Sequence, residues 1–274
     1  MKEEVLLAEI PLMLFLANEW IAVIGAGSIG EQVVEALYEK GHRRIIATRH
    51  SEEALKQLAQ KYRGIETRTN NCYAVQRADV IVVATKPKIT INEVGPEIAA
   101  YTKEKLVICL AAATSLEKLY QILGTETRTA RVMTGLYVKD ELAAYTLGEN
   151  TTAEDRAMVH YIFGSDAIEL EEKLLAHRTF IACDTGLTAK ETDVKIEELV
   201  QEGMPRQQAC LFYAAMHEAL AHQLRKGISG TDIYAEVGGS GSFTRGLGTM
   251  LEETGFYELL RECVQKTVVA CGGK

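Results

Sequence analysis

The run Trp20-Ile21-Ala22-Val23-Ile24-Gly25-Ala26-Gly27-Ser28-Ile29-Gly30, followed at once by Glu31-Gln32-Val33-Val34-Glu35-Ala36-Leu37-Tyr38-Glu39-Lys40 and a stop at Gly41, narrows the possible folds more than any other stretch of this chain. A short β-branched apolar run ends in Gly25-x-Gly27-x-x-Gly30, and apolar residues then recur at helical spacing. The segment therefore predicts a strand, a tight turn and a helix that starts inside the glycine motif. Gly25 permits the turn, Gly27 presents no Cβ to a diphosphate, and Gly30 lets the helix lie close against the strand. The first helical turn, at Ser28 and Ile29, offers N–H groups and partial positive charge to phosphate. The same pattern can be a glycine-rich turn that binds nothing, but the flanking strand and amphipathic helix favour dinucleotide binding.

The next apolar run, Arg43-Arg44-Ile45-Ile46-Ala47-Thr48-Arg49-His50-Ser51, predicts a second strand with a polar tip, and a helix is expected over 52–62. In the NAD-type fingerprint this strand ends in an acid that holds the ribose hydroxyls. Here Thr48 and Arg49 stand in its place, and a guanidinium suits a 2′-phosphate, so NADP(H) is preferred and NAD(H) remains open. Arg49 could also be a solvated turn residue. A polar segment over 65–71 and a brief helix over 72–77 lead to Asp79-Val80-Ile81-Val82-Val83-Ala84-Thr85-Lys86-Pro87, whose unbroken Val/Ile core fits a strand buried on both faces. Pro87 must end it, which puts Thr85 and Lys86 at the carboxyl end where cofactors lie. Further strands are expected over 106–111, 128–132 and 143–147, with helices over 93–101, 115–123 and 152–163. This alternation predicts a doubly wound α/β sheet.

Composition sets outer limits. With 30 Lys and Arg against 38 Asp and Glu, the net charge is −8, and no basic cluster could neutralise a phosphate backbone, so nucleic acid is an unsuitable partner. Six scattered cysteines form no C-x-x-C or Cys/His pattern, which disfavours disulfides and a metal site and suggests buried thiols in a reducing cytoplasm. The apolar stretch over 5–17 looks superficially like a secretory signal. Its acidic flank (Glu3, Glu4, Glu9) and Pro11 argue against that and against a membrane segment, leaving residues 1–18 as an N-terminal extension.

The pattern changes near Glu171. Apart from a short run over 179–183 of uncertain type, apolar residues recur at helical spacing: Val194, Ile196, Leu199; Leu211, Phe212, Met216, Leu220; Leu251, Leu259, Leu260, Val268. The expected organisation is an extension over 1–18, a cofactor domain over 19–170, and an all-helical domain over 171–274 whose apolar surface needs a second subunit, as a homodimer or larger homo-oligomer.

On these residues the chain resembles the pyrroline-5-carboxylate reductase family, whose members join an N-terminal Rossmann domain to a C-terminal helical dimerisation domain. Asn71-Cys72-Tyr73-Ala74 with Asp79-Val80 and Lys86-Pro87 looks like that family's Asn-x-x-Ala, Asp-Val and Lys-Pro segment. The resemblance implies that Asn71 touches the adenosine half of NADPH, that Ala84, Thr85, Lys86 and Pro87 line the nicotinamide and its ribose, and that Thr48-Arg49 replaces Asn-Arg at the 2′-phosphate. Leu110-Ala111-Ala112-Ala113 is similar to Ile-Ala-Ala-Gly, with Ala113 in the glycine's place. The substrate side departs further: Met133-Thr134-Gly135 stands for Met-Pro-Asn, and Ala182-Cys183-Asp184-Thr185-Gly186-Leu187 for Gly-Ser-Gly-Pro-Ala-Tyr. The stretch from Val237 to Leu247 resembles a recast Ser-Pro-Gly-Gly-Thr-Thr loop.

Hydride transfer to a C=N bond needs an aligned nicotinamide, a proton donor near nitrogen and a carboxylate holder. Gly239, Ser240, Gly241, Ser242 and Thr244 are the substrate-binding candidates, because a glycine-rich turn before a helix exposes backbone N–H groups. Thr244 is the first candidate for proton donor and Ser242 the second. Glycine and serine also make linkers, so a loop without substrate remains open. The resemblance implies an NADP(H)-dependent reductase of a cyclic imine, in proline biosynthesis. A relative acting on another imine or carbonyl compound, or a catalytically silent NADP-binding protein, would share these features.

Overall fold

The computed structural model describes residues 15–272, so the larger part of the N-terminal extension lies outside the described residues. Eight strands form one sheet: β1 (Ile21–Ile24), β2 (Ile45–Thr48), β3 (Glu66–Arg68), β4 (Val80–Val83), β5 (Leu106–Cys109), β6 (Arg128–Met133), β7 (Ala144–Leu147) and β8 (Ile168–Glu169). Their order is β3-β2-β1-β4-β5-β6-β7-β8, and every pairing is parallel except β6 with β7. The three strands β1, β4 and β5 are apolar at every position because both faces are covered.

Alternate residues of each strand enter different cores. Ile21, Val23, Val80, Val82, Leu106 and Ile108 pack with Val33, Val34 and Leu37 of helix α1 (Ser28–Glu39). Ala22, Ile24, Ile81, Val83 and Val107 point the other way, into a cluster with Ala74 and Val75, Val94 and Ile98, and Leu119 and Leu123. Those partners sit on three helical segments that follow α2 (Glu52–Lys61): α3 (Asn71–Arg77), the composite α4 (87–101), and α5 (Leu116–Leu123). Helix α6 (Ala153–Phe163) returns to the first face, and its start is set by a capping box in which Thr152 and Asp155 exchange bonds. Burial of alternate residues on two covered faces is what makes the sheet doubly wound.

Three local features differ from the expectations, and the run whose type was left open is decided. Residues 66–68, expected as a polar segment, form edge strand β3, because Ile46, Ala47 and Thr48 offer them a parallel partner. Strand β8 has no hydrophobic signal and is two exposed residues long. The helix expected over 93–101 begins earlier: α4 runs as Pro87–Ile89, a π turn Thr90–Val94, then Gly95–Ile98 and a final 3-10 turn Ala99–Tyr101. Pro96 has no N–H for the carbonyl four residues back, and the Gly95 N–H bonds Thr90 O instead. The run over 179–183 is helical, inside α7 (Leu175–Gln201), where the Thr179 hydroxyl donates to Leu175 O at 2.9 Å.

Contacts divide the chain into two compact units, one running to Ala182 and resumed from Val268, the other Cys183–Thr267. The second unit is made of helices: the rest of α7, α8 (Arg206–Arg225), α9 (Gly230–Val237), α10 (Phe243–Glu253) and most of α11 (Phe256–Ala270). Leu211, Phe212, Met250 and Leu259 are exposed, and Phe243 is completely so. The expectation of buried thiols is corrected here: Cys109 is buried, whereas Cys183, Cys210 and Cys263 lie exposed on helical segments of this uncovered unit.

Candidate functional site

The carboxyl ends of β1, β2, β4 and β5 open onto a cleft of about 650 Å³. It lies where the chain, having laid β2 and β3 on one side of β1, places β4 on the other. Strand order reverses at that point, and the two flanking turns diverge to leave a crevice.

Its floor is the glycine turn. Gly25 has φ +86°, and a Cβ there would lie 2.5 Å from Thr85 Cγ2. At Gly30 a Cβ would meet the Gly25 carbonyl oxygen at 2.3 Å and Ala84 Cβ at 3.2 Å, so this glycine packs α1 onto β1 and does not itself line the cleft. A Cβ on Gly27 would touch nothing within 4 Å, because it would project into the cleft. The first bond into α1 runs from Glu31 N to Gly27 O, leaving the N–H groups of Ser28, Ile29 and Gly30 without helical acceptors. An open face with free donors at a helix N-terminus is a cradle that fits a dinucleotide diphosphate.

The walls come from the ends of the neighbouring strands. Thr48 is fully buried; its hydroxyl donates to Asn71 Oδ1 at 2.7 Å, and the Asn71 amide donates to Glu97 Oε2 at 2.8 Å. Asn71 lines the cleft, but its amide braces β2 against α4. Arg49 leans back over the turn, its Nη1 donating to Ala26 O at 3.3 Å, and remains exposed beside His50 and Thr69. On the other side Ala84, Thr85, Lys86 and Pro87 continue from β4. The Thr85 and Thr90 hydroxyls lie 2.7 Å apart, and Thr90 also donates to Thr85 O at 3.1 Å, tying the turn to the π segment of α4. Gly25, Gly27, Ser28, Ile29, Thr48, Arg49, Asn71, Ala84, Thr85, Lys86 and Pro87 thus share one cleft, drawn from segments sixty residues apart.

Sequence reasoning omitted several lining residues from the site: His50, Thr69, Ile89, Val94 and the Leu110-Ala111-Ala112 step after β5. The last group carried a usable signal, since it follows a buried strand just as Thr85 and Lys86 do. Ala113, next in line, has φ +53°, a backbone region that costs a residue with a Cβ about 1–2 kcal/mol.

Gly239, Ser240, Gly241 and Ser242 lie in the second unit at the turn between α9 and α10, and Thr244 just inside α10. Ser242 is the N-cap of α10: its Oγ accepts the Arg245 N–H at 3.1 Å, leaving the hydroxyl proton to be donated elsewhere. Thr244 is half-buried in the first turn of that helix. The Arg245 Nε donates to Gly238 O at 3.0 Å, which closes the turn.

A family model described as "NADP oxidoreductase coenzyme F420-dependent" matches residues 20–113, the stretch that builds the cleft. The pyrroline-5-carboxylate reductase of Corynebacterium melassecola is 27% identical over 262 residues, 90% of this chain and 97% of that one. The enzyme of the same name from Methanosarcina acetivorans is 30% identical over 58% of this chain and 62% of its own length. Over most of its length the chain is thus similar to pyrroline-5-carboxylate reductases. The pyrroline carboxylate reductase of Plasmodium falciparum, solved with NADP bound, shares this fold with a TM-score of 0.81 at 20% identity, covering 93% of this chain and 97% of that one. No described helix is long and apolar enough to cross a membrane.

Proposed function

We propose that the chain is an NADP(H)-dependent reductase of the pyrroline-5-carboxylate reductase type, reducing a cyclic imine acid to proline. The observation that carries this reading is the cleft itself. Free N–H donors of α1 face an open Gly27, and the neighbouring strand is followed at once by Arg49 where an NAD site would place an acid. The family's named members and the NADP in the Plasmodium structure support the same cofactor and reaction.

When bound, NADPH supplies the hydride, which goes to the imine carbon as a proton goes to nitrogen, so imine, NADPH and a proton give amine and NADP+. The chain's own part is positioning. The α1 N-terminus and Arg49 hold the phosphates, while Thr85 and Lys86, fixed by the Thr85–Thr90 bond, would line the nicotinamide end. Thr244 would donate to the imine nitrogen, with Ser242 the second choice. The N–H groups of Gly239, Ser240 and Gly241 would take the substrate carboxylate. A second copy of the chain would cover the exposed apolar helices of Cys183–Thr267, giving a homodimer or larger homo-oligomer, and the free thiols suit a reducing cytoplasm.

Steady-state oxidation of NADPH with pyrroline-5-carboxylate tests the reaction: turnover is expected, and tight NADPH binding without turnover overturns it. Thr244→Ala should lower kcat/KM by about 10²–10⁴-fold, and an unchanged value removes Thr244 as proton donor. One feature favours a second reading, a different imine or carbonyl substrate. The Glu141 carboxylate occupies the space a side chain at Gly135 would need, at 1.8–2.0 Å from its Cβ position, and pairs there with Arg178 at 2.9 Å. Competition among cyclic imines and keto acids under the same assay separates the two.

A further inference from the structure

The corner of the cleft at the end of β2 contains one group that no reading above employs. We infer that His50 is a second cation for the 2′-phosphate, beside Arg49, and that it makes the preference for NADP(H) over NAD(H) pH-dependent; this rests on the cofactor reading above. A 2′-phosphate carries about −1.5 to −2 charges at neutral pH, more than a single guanidinium neutralises. Arg49 has one nitrogen turned back onto Ala26 O. The nearby residues are committed elsewhere. Ser51 is spent as the N-cap of α2, accepting the Ala54 N–H at 3.2 Å. Arg68, at the end of β3, pairs with Glu66 at 2.7 Å and donates to Thr67 O at 2.9 Å. His50 is exposed and lines the cleft with Arg49 and Thr69.

The charged groups on the surrounding elements are Arg49, Glu52 and Glu53 on the turn and α2, Glu66 and Arg68 on β3, and Glu31 on α1, whose carboxylate holds Lys61 at 2.9 Å. Beside Arg49, the imidazole of His50 is the side chain lining this corner that can bring a second positive charge to a phosphate. Protonated His50 donates a charge-assisted bond to a phosphate oxygen, and neutral His50 offers a weaker one. NAD(H), with a hydroxyl in the phosphate's place, gains nothing from that charge.

The test is calorimetric titration of the full chain with NADPH and with NADH at pH 6 and pH 8, using wild type, His50→Ala and His50→Arg. Comparison with His50→Ala removes the contribution of the phosphate's own titration. At pH 6 the wild type should bind NADPH about five- to tenfold more tightly than His50→Ala, at pH 8 less than about twofold, with NADH affinity unchanged throughout. His50→Arg should keep the tighter binding at both pH values. Equal NADPH affinities of wild type and His50→Ala at pH 6, in a protein that still discriminates against NADH, overturn the role of His50 alone. A wild type that does not discriminate between the cofactors overturns the NADP(H) reading and this inference with it.

Discussion

A methyl group at position 30 and a methyl group at position 27 meet opposite surroundings. The first would be driven to 2.3 Å from the Gly25 carbonyl oxygen, a backbone atom with no freedom to retreat, whereas the second enters open space. Gly30→Ala should therefore lose about 1–3 kcal/mol of stability in denaturant unfolding. Gly27→Ala should leave the unfolding midpoint within about 0.5 kcal/mol of wild type and weaken NADPH binding about tenfold or more. Equal losses of stability in the two variants would contradict the division of labour within the motif. Ala113 presents the converse case, a residue with a Cβ held at φ +53°. Ala113→Gly relieves the left-handed penalty but frees the unfolded chain, for a net gain of about 0.5–1 kcal/mol, seen as a Tm higher by about 2–3 °C.

At the level of elements, parallel pairing joins groups that the chain keeps far apart. Glu19 precedes β1 and Asp79 precedes β4, and the register Ile21↔Val80 brings the two carboxyl groups together at the amino end of the sheet. The Trp20 N–H donates to Asp79 Oδ2 at 2.8 Å, so the Asp79 side chain is held in place. Burial, followed by the charge of Asp79, pushes the Glu19 carboxyl up to about 7. A carboxyl raised in the folded state stabilises the fold fully below its unfolded value near 4.5, and that contribution is lost as pH rises through 7. Glu19→Gln should match wild type near pH 4.5 and exceed it above pH 7 by about 1 kcal/mol, the full shift being reduced by solvent screening because Glu19 is only half-buried. Thermal denaturation across that range checks it; a variant less stable at pH 8 would refute the carboxyl pair.

For the whole molecule, the two compact units bury their apolar residues very differently. The sheet-bearing unit buries most of the described aliphatic side chains of its strands, while in Cys183–Thr267 Ile196 and Ala209 are buried and Leu211, Phe212, Leu247, Met250 and Leu259 are exposed. Helices with so much uncovered apolar surface are unstable as monomers in water. Sedimentation should find a dimer or larger species, and Phe212→Lys should shift it toward monomer and lower its Tm. A stable wild-type monomer at micromolar concentration would overturn the proposed association.

The alternating strands and helices, the glycine turn and the strand-end residues Thr48, Arg49, Thr85 and Lys86 were legible along the chain, because each depends on local periodicity or on what a glycine or proline permits. The helical character of residues 183–267 was legible for the same reason. Edge strands β3 and β8 were not, since a short polar strand exists only through the partner it pairs with. Nor were the bracing of Thr48 through Asn71 to Glu97, the π turn that ties Thr90 to Thr85, or the meeting of Glu19 with Asp79. Local pattern dictated that a cradle for a dinucleotide forms between Gly25 and Gly30. Which side chains surround that cradle, and which of them are already spent on holding one another, was decided by parallel strand pairing, which brings distant segments to one edge of the sheet in a register no single segment encodes.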